Sequence, residues 1–161
     1  DQGLINAEIN LYITLERTEE LIAKLSDNIE SYPDNDTYYV IRGTCYQNAD
    51  NSQEAILDYK SALAINADDL TALNNISACY LKQTEPLIIK LNNLSYSQTS
   101  LYNKYKDQIK QIHLLVLPYL ENYIKLKPED VSILTVLGEI YYKLDMYEKS
   151  KETKKAIEEL K

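Results

Sequence analysis

The chain has 161 residues, only 3 Gly and 4 Pro, and a formal net charge of −8 from 17 Lys and Arg against 25 Asp and Glu. This length suits one domain with a substantial core, and the scarcity of Gly and Pro favours long helices over a turn-rich β-sandwich. The negative charge and the absence of a basic stripe argue against nucleic-acid binding, and the longest apolar stretch, 114–120, is too short to span a membrane.

The first predicted unit covers about residues 2–35. Ile9, Leu21 and Leu25 carry its apolar pattern, and the unit ends in a predicted turn at 33–35. The run 34–36 resembles the start of a calcium loop, but the Gly and the terminal Glu of such a loop are absent. The turn between two units is the simpler interpretation.

A period of 34 residues joins this unit to the next two. Tyr12, Tyr46 and Tyr80 are spaced by 46−12 = 34 and 80−46 = 34, a period typical of a repeated helix-turn-helix. The second unit, about 36–69, is the clearest, and small and aromatic residues alternate along it: Tyr39, Gly43, Tyr46, Ala55, Tyr59 and Ala62. The small residues are expected where two antiparallel helices approach closely, and the tyrosines where space between them must be filled.

The third unit, about 70–130, is longer than the period allows. From position 67 to Pro128 there are 128−67 = 61 residues, which leaves 61−34 = 27 extra and predicts an insertion at about 84–110. We expect both helices of this unit to be lengthened into a protruding hairpin. Pro86 is expected in the first turn of a helical segment, and Pro118 inside a long helical pattern from about 100 to 127.

The fourth unit, about 131–161, contains Leu134, Leu137, Gly138 and Tyr141 in the same order and closes with a polar helix rich in Lys and Glu. That composition predicts a capping helix.

On these residues the whole chain resembles tetratricopeptide-repeat (TPR) proteins. The resemblance implies an all-α, right-handed solenoid of antiparallel helix pairs, with about four pairs, an extended third pair, and a single domain over 1–161. The run from Leu117 to Asp130, followed by 137–147, resembles exported TPR proteins of Gram-negative bacteria. It implies an exported protein that is periplasmic or envelope-associated and had a signal peptide, with a cytoplasmic protein as the alternative.

The resemblance also implies a function. In that family the first helices line a concave groove that binds an extended peptide or a partner helix, so we expect a non-enzymatic scaffold with a protein or peptide partner. The basic residues with which some members clamp a carboxylate are missing here. The corresponding groove positions are Asn6, Asn10, Val40, Thr44, Gln47, Thr71, Asn74, Leu81, Thr135, Glu139 and Tyr142.

The insertion supports an alternative function. Its apolar patch and its tyrosines have no role in the repeat pattern, so they are candidates for contact with a partner or with a second copy in a homodimer. These residues are Leu87, Ile88, Tyr96, Tyr102 and Tyr105.

Catalysis, cofactors and metals find no support in the residue pattern. His113 is the only histidine and has no Cys, Asp or Glu at metal-ligand spacing, and no nucleophile motif accompanies it. Cys45 and Cys79 occupy the same phase of adjacent repeats, on helices whose axes we expect about 10 Å apart. We therefore predict two buried free thiols.

Overall fold

A computed structural model describes residues 17–160 together with Ile9, Leu11 and Tyr12. In this part of the chain all regular structure is helical, as the sequence predicted. The helices are α1 (Thr18–Ser31), α2 (Asp36–Asn48), α3 (Ser52–Ile65), α4 (Leu70–Lys82), α5 (Glu85–Asn92), α6 (Thr99–Leu126), α7 (Val131–Lys143) and α8 (Tyr147–Glu159).

The first helices of the second, third and fourth repeats begin in the same way. Asn35 and Asp130 accept backbone N–H groups two residues ahead, at 3.2 and 3.1 Å, and Asp69 accepts one three residues ahead at 2.6 Å. Each side chain satisfies a donor that the first turn of a helix leaves without a partner, a contribution of about 1 kcal/mol. A turn therefore precedes Asp36, as predicted, and Asn35 is in addition a helix cap.

Two of these first helices also end in the same way. Asp50 and Asp145 follow α2 and α7 with a left-handed backbone, each at φ 62°. The next residue donates its N–H to the carbonyl of Tyr46 or of Tyr141, both at 2.8 Å. This pattern closes the helix end and reverses the chain, so the periodic tyrosines mark where the first helix stops.

The third repeat lacks this reversal. Thr84 keeps a helical backbone (φ −77°, ψ −25°) and its hydroxyl donates to the carbonyl of Leu81 at 2.7 Å, so the chain continues into the additional helix α5. Our expectation that both helices of this repeat are lengthened was wrong for the first. Helix α4 has 13 residues, as α2 has, and only α6, with 28 residues, is long.

The two prolines lie where the sequence placed them. Pro86 is in the first turn of α5, where a backbone N–H has no partner to lose, and Pro118 lies inside α6.

The chain divides into two compact units, Asp1–Ala72 and Leu73–Lys161. In the first unit, Ile9, Leu21, Leu25, Tyr38 and Cys45 form a buried apolar cluster that joins α1 to α2.

Arg42 ties together three helices of the first unit. Its guanidinium donates to both carboxylate oxygens of Asp58 on α3, at 2.8 and 2.7 Å, and to the hydroxyl of Ser26 on α1 at 2.9 Å. Asp58 is buried, so this bidentate pair neutralises a charge that would otherwise be costly in the interior.

In the second unit, α6 contributes Val116 and Leu120 and α7 contributes Leu134, Leu137 and Ile140 to the core. The ring of Tyr80 on α4 stacks against that of Tyr119 on α6, with centroids 6.2 Å apart and planes at 18°. No helix in the described part of the chain combines the length and the apolar character needed to cross a membrane.

Candidate partner-binding surfaces

Helix α4 presents one exposed polar stripe. Thr71 and Asn74 are exposed and Leu81 is half-buried, while Ala72, Leu73 and Ile76 of the same helix are buried. The amide of Asn74 donates to the side-chain oxygen of Asn75 at 3.2 Å. The exposed positions recur at helical spacing, so they face one side and are accessible to a ligand.

Helix α2 offers much less. Val40 is buried, and Thr44 and Gln47 are half-buried beside Tyr59, whose hydroxyl donates to the Oε1 of Gln47 at 2.7 Å and lies 3.2 Å from the Oγ1 of Thr44. The polar atoms expected to contact a partner are therefore already engaged inside the repeat. Asn6 and Asn10, the predicted groove residues of the first repeat, lie outside the described residues.

Helices α7 and α8 enclose a mainly apolar cleft of about 310 Å³. The three predicted groove residues of the fourth repeat, Thr135, Glu139 and Tyr142, all line it, and each is exposed. The Tyr142 ring packs edge-on against Tyr147, with centroids 5.6 Å apart and planes at 69°. The cleft therefore combines a positioned aromatic wall with an exposed carboxylate.

A network on a neighbouring part of α7 fixes the helices that form this cleft. The hydroxyl of Tyr141 donates to Oε1 of Glu121 at 2.7 Å, and the amine of Lys149 donates to the same oxygen at 2.9 Å, which joins α7 and α8 to α6. Burial and then the Glu121 hydrogen bond raise the pKa of Tyr141, which stays a neutral donor. Burial alone would raise the pKa of Glu121, but the hydrogen bonds from Lys149 and Tyr141 and the charges of Lys149 and Lys125 together lower it.

Sequence reasoning missed the side of the cleft that α8 forms. Ser150, Lys154 and Ile157 come from α8, a helix predicted only to be a cap. A signal was present, because Lys154 and Ile157 occupy the repeat positions that Tyr59 and Ala62 hold in the second repeat, at 154−59 = 95 and 157−62 = 95. A lysine at a position that elsewhere holds a buried tyrosine indicates that the fourth repeat is built differently on this side.

The insertion forms a separate surface. Its exposed residues include Ile88, Tyr102 and Tyr96, whereas Leu87 and Tyr105 are half-buried. Near the loop that joins α5 to α6 there is a smaller cleft of about 260 Å³, to which Tyr96 and Tyr102 contribute.

The two cysteine thiols and the imidazole of His113 are buried. Within the described residues, no three or more of His, Cys, Asp and Glu gather in an arrangement that could hold a metal. Burial raises the pKa of both the Cys45 and the Cys79 thiols, which are free. His113 is buried with its Nδ1 unbonded, and burial followed by the nearby Lys143 lowers its pKa.

Paired helices with capped starts in the second, third and fourth repeats define a helical-hairpin repeat fold. Two of these repeats also have a glycine at the close approach of their helices and a left-handed aspartate in the turn. No protein-family model matches the sequence, and no curated protein matches it. Solved structures do match. MamA residues 41 to the end from Desulfovibrio magneticus RS-1 is 19% identical, with a TM-score of 0.67 over 98% of this chain and 74% of that one.

A double mutant of the same MamA gives a TM-score of 0.68 at 19% identity, with the same coverage of both chains. The first TPR domain of Spaghetti (RPAP3), solved with the HSP90 peptide SRMEEVD, gives 0.55 at 15% identity, over 88% of this chain and 94% of that one. The chain therefore has the tetratricopeptide-repeat fold, as the sequence predicted.

Proposed function

We propose that the protein is a non-enzymatic interaction module that holds a peptide or helix of a protein partner on the exposed faces of its first helices. The observation that carries this proposal is the α7 face. Thr135, Glu139 and Tyr142 are exposed together at helical spacing and open onto one cleft, whereas the opposite face of the same helix forms the core.

The described site favours a partner unlike the peptide in the similar RPAP3 structure. That peptide, SRMEEVD, carries three acidic residues and one Arg. On α4 and α7 the predicted groove residues are uncharged apart from Glu139, Lys154 of α8 also lines the cleft, and the whole chain has a net charge of −8. An acidic peptide would be repelled, so we infer that the partner segment is neutral or basic.

Selection of binding peptides from a random displayed library on the purified chain tests this function. We expect Asn74→Ala and Tyr142→Ala each to weaken the selected peptides about tenfold, because truncating a central contact costs at least that much. Lys151→Ala, on the exposed side of α8, is the control and should bind as the wild type does. The proposal fails if selected peptides bind both groove variants and the control equally.

Self-association through the insertion is the second candidate, favoured by its exposed apolar side chains. Ile89 is 61% exposed and lies on α5 beside the exposed Ile88, and Tyr96 at the loop is fully exposed. Exposed apolar clusters of this kind commonly mark an interface. Sedimentation equilibrium tests this candidate on the wild type, on Ile89→Lys and on the control Leu57→Lys. A wild-type monomer at every concentration would exclude self-association.

Export to the periplasm or the envelope also remains a proposal, supported by the resemblance of the C-terminal half. Fractionation of cells that express the complete native gene, with a periplasmic and a cytoplasmic marker enzyme followed in parallel, tests it. Recovery with the cytoplasmic marker would refute export.

A further inference from the structure

The second and fourth repeats share one backbone arrangement. Gly43 and Gly138, and the left-handed Asp50 and Asp145, are each separated by 95 residues, and α2 and α7 both have 13. Differences between the two repeats therefore lie in their side chains. Residues 95 positions apart are therefore equivalent in the two repeats.

In the second repeat a tyrosine ring fills the space between the two helices. Tyr59 is completely buried, and its ring carbons Cε1 and Cδ1 lie 2.9 and 3.1 Å from where a Cβ on Gly43 would be. Its hydroxyl reaches Thr44 and Gln47 on α2. This repeat therefore shows how a phenol is held at this position, with the ring against glycine and the hydroxyl on a first-helix acceptor.

In the fourth repeat that ring is absent. Lys154 stands at the position of Tyr59 and is exposed, and a Cβ on Gly138 would meet only Thr153, at 3.4 and 3.6 Å. The cleft of about 310 Å³ lies here, and the positions of Thr44 and Gln47 are taken by Glu139 and Tyr142. The cleft is thus the space that a tyrosine occupies elsewhere in the same chain.

The electrostatics of the rim favour a donor. Within residues 17–160, the Glu139 carboxylate forms no hydrogen bond and no ion pair, either with Lys154, which lines the same cleft, or with another residue, so it is available to accept a hydrogen bond. The two hydroxyls that line the cleft do not compete as donors to Glu139, because each already has an acceptor. The Ser150 hydroxyl donates to the Gly138 carbonyl at 2.9 Å, and the Thr135 hydroxyl donates to the Val131 carbonyl at 2.7 Å.

We propose that the α7–α8 cleft binds a tyrosine side chain of the partner protein, with the phenol hydroxyl donating to Glu139 and the ring lying against Gly138, Tyr142 and Ile157. The inference rests on the proposed function and identifies the chemistry of the segment that is bound. A carboxylate side chain is disfavoured by Glu139. A phenylalanine would fill the cleft but leave that carboxylate without its donor.

Titration of the ¹⁵N-labelled full chain with N-acetyl-tyrosinamide, monitored by amide chemical shifts, tests the site directly. We expect the shifts to cluster on 135–142 and 150–157. N-acetyl-phenylalaninamide should bind about tenfold more weakly, because it makes no charge-assisted hydrogen bond. N-acetyl-alaninamide should produce no clustered shifts.

Lys154→Tyr is the decisive variant, because it restores the repeat's own ring to the cleft. We expect it to keep its helical circular dichroism and to lose binding of the tyrosine probe at least tenfold, while Lys155→Tyr on the exposed side of α8 binds as the wild type does. Ile157→Asp, which places a second carboxylate in the wall, should also lose binding and serves if Lys154→Tyr misfolds.

Two results separate this inference from the function that it refines. Peptides that need Asn74 but bind Lys154→Tyr with wild-type affinity would overturn the tyrosine site and leave the module function standing. Probe shifts on 135–157 that Lys154→Tyr abolishes, without any displayed peptide being selected, would support the tyrosine site and refute the peptide function. Shifts clustered elsewhere on the chain would also overturn the tyrosine site.

Discussion

Gly43 and Gly138 occupy the same repeat position, yet the structure predicts opposite effects when each is changed to Ala. At Gly43 a Cβ would lie 2.9 Å from Tyr59 Cε1, 3.1 Å from Cδ1 and 3.2 Å from the Cβ of Asp58. At Gly138 the nearest atom is 3.4 Å away, on Thr153, which is an ordinary contact. The two sites therefore separate the helix-forming gain of alanine from the cost of crowding.

The magnitudes follow from these distances. Alanine in place of glycine inside a helix stabilises by about 1 kcal/mol, and Gly138→Ala should gain most of that amount. At Gly43 the neighbours cannot move freely, because Tyr59 is fully buried and Asp58 is held by two hydrogen bonds from Arg42. Overpacking of this kind costs about 1–3 kcal/mol, so Gly43→Ala should lose up to about 2 kcal/mol after the helical gain is subtracted.

Urea unfolding followed by circular dichroism at 222 nm measures both variants, compared at an unchanged slope m. Tyr59→Leu removes the ring that crowds Gly43, so adding Gly43→Ala to Tyr59→Leu should cost less than adding it to the wild type. If both glycine variants shift the midpoint in the same direction, or if Tyr59→Leu leaves the cost of Gly43→Ala unchanged, the crowding argument is refuted.

Three further predictions concern stability. Arg42→Ala leaves the buried carboxylate of Asp58 without its ion pair and should lower the free energy of unfolding in urea by about 3–5 kcal/mol. The double variant Arg42→Met with Asp58→Leu should lose much less, and an equal loss in the two variants would contradict this. Because the pKa of His113 is lowered in the folded state, its neutral form is favoured there, and stability should fall as pH drops below about 6.5. His113→Phe should flatten this fall between pH 7.5 and 5.5, and an identical fall in the variant would exclude His113 as its cause. Asp50→Val should be destabilised relative to Asp50→Gly by about 1–2 kcal/mol, since the position is left-handed, and equal melting temperatures would contradict this.

Much of the fold was predictable because the repeat leaves local signals. Tyr46 and Tyr141 mark helix ends, and Asn35, Asp69 and Asp130 mark helix starts. Each signal is a short-range hydrogen bond between residues close in the sequence, so the pattern and the structure agree there.

The third repeat was predicted less completely than the other repeats. Spacing to Pro128 predicted extra residues in this repeat, but not that they include a separate helix. That outcome depends on whether the residues after α4 adopt a left-handed turn, and nothing in the spacing distinguishes Thr84 from the aspartates that reverse the chain elsewhere. The absence of Asp at the equivalent place was the available clue.

The candidate site was less predictable, because exposure depends on neighbours from other helices. Val40 and Thr135 share one repeat position and Thr44 and Glu139 share another. Val40 is nevertheless buried and Thr44 lies against the Tyr59 hydroxyl, while Thr135 and Glu139 are exposed on the cleft. What differs is the residue on the second helix, Tyr59 or Lys154. A comparison of second helices as well as first helices would have found the cleft from the sequence.

The second and fourth repeats differ in whether a side chain fills the space between their two helices. In the second repeat the glycine and the tyrosine complement each other, and neither is available to a partner. In the fourth repeat the glycine and the turn remain, so the helix pair keeps its geometry, but the complementary ring is replaced by Lys154. A binding site then requires no change of backbone, only the loss of one interior side chain. The same reasoning makes Lys154→Tyr a reversal of that loss, which should close the site and leave the helix pair intact.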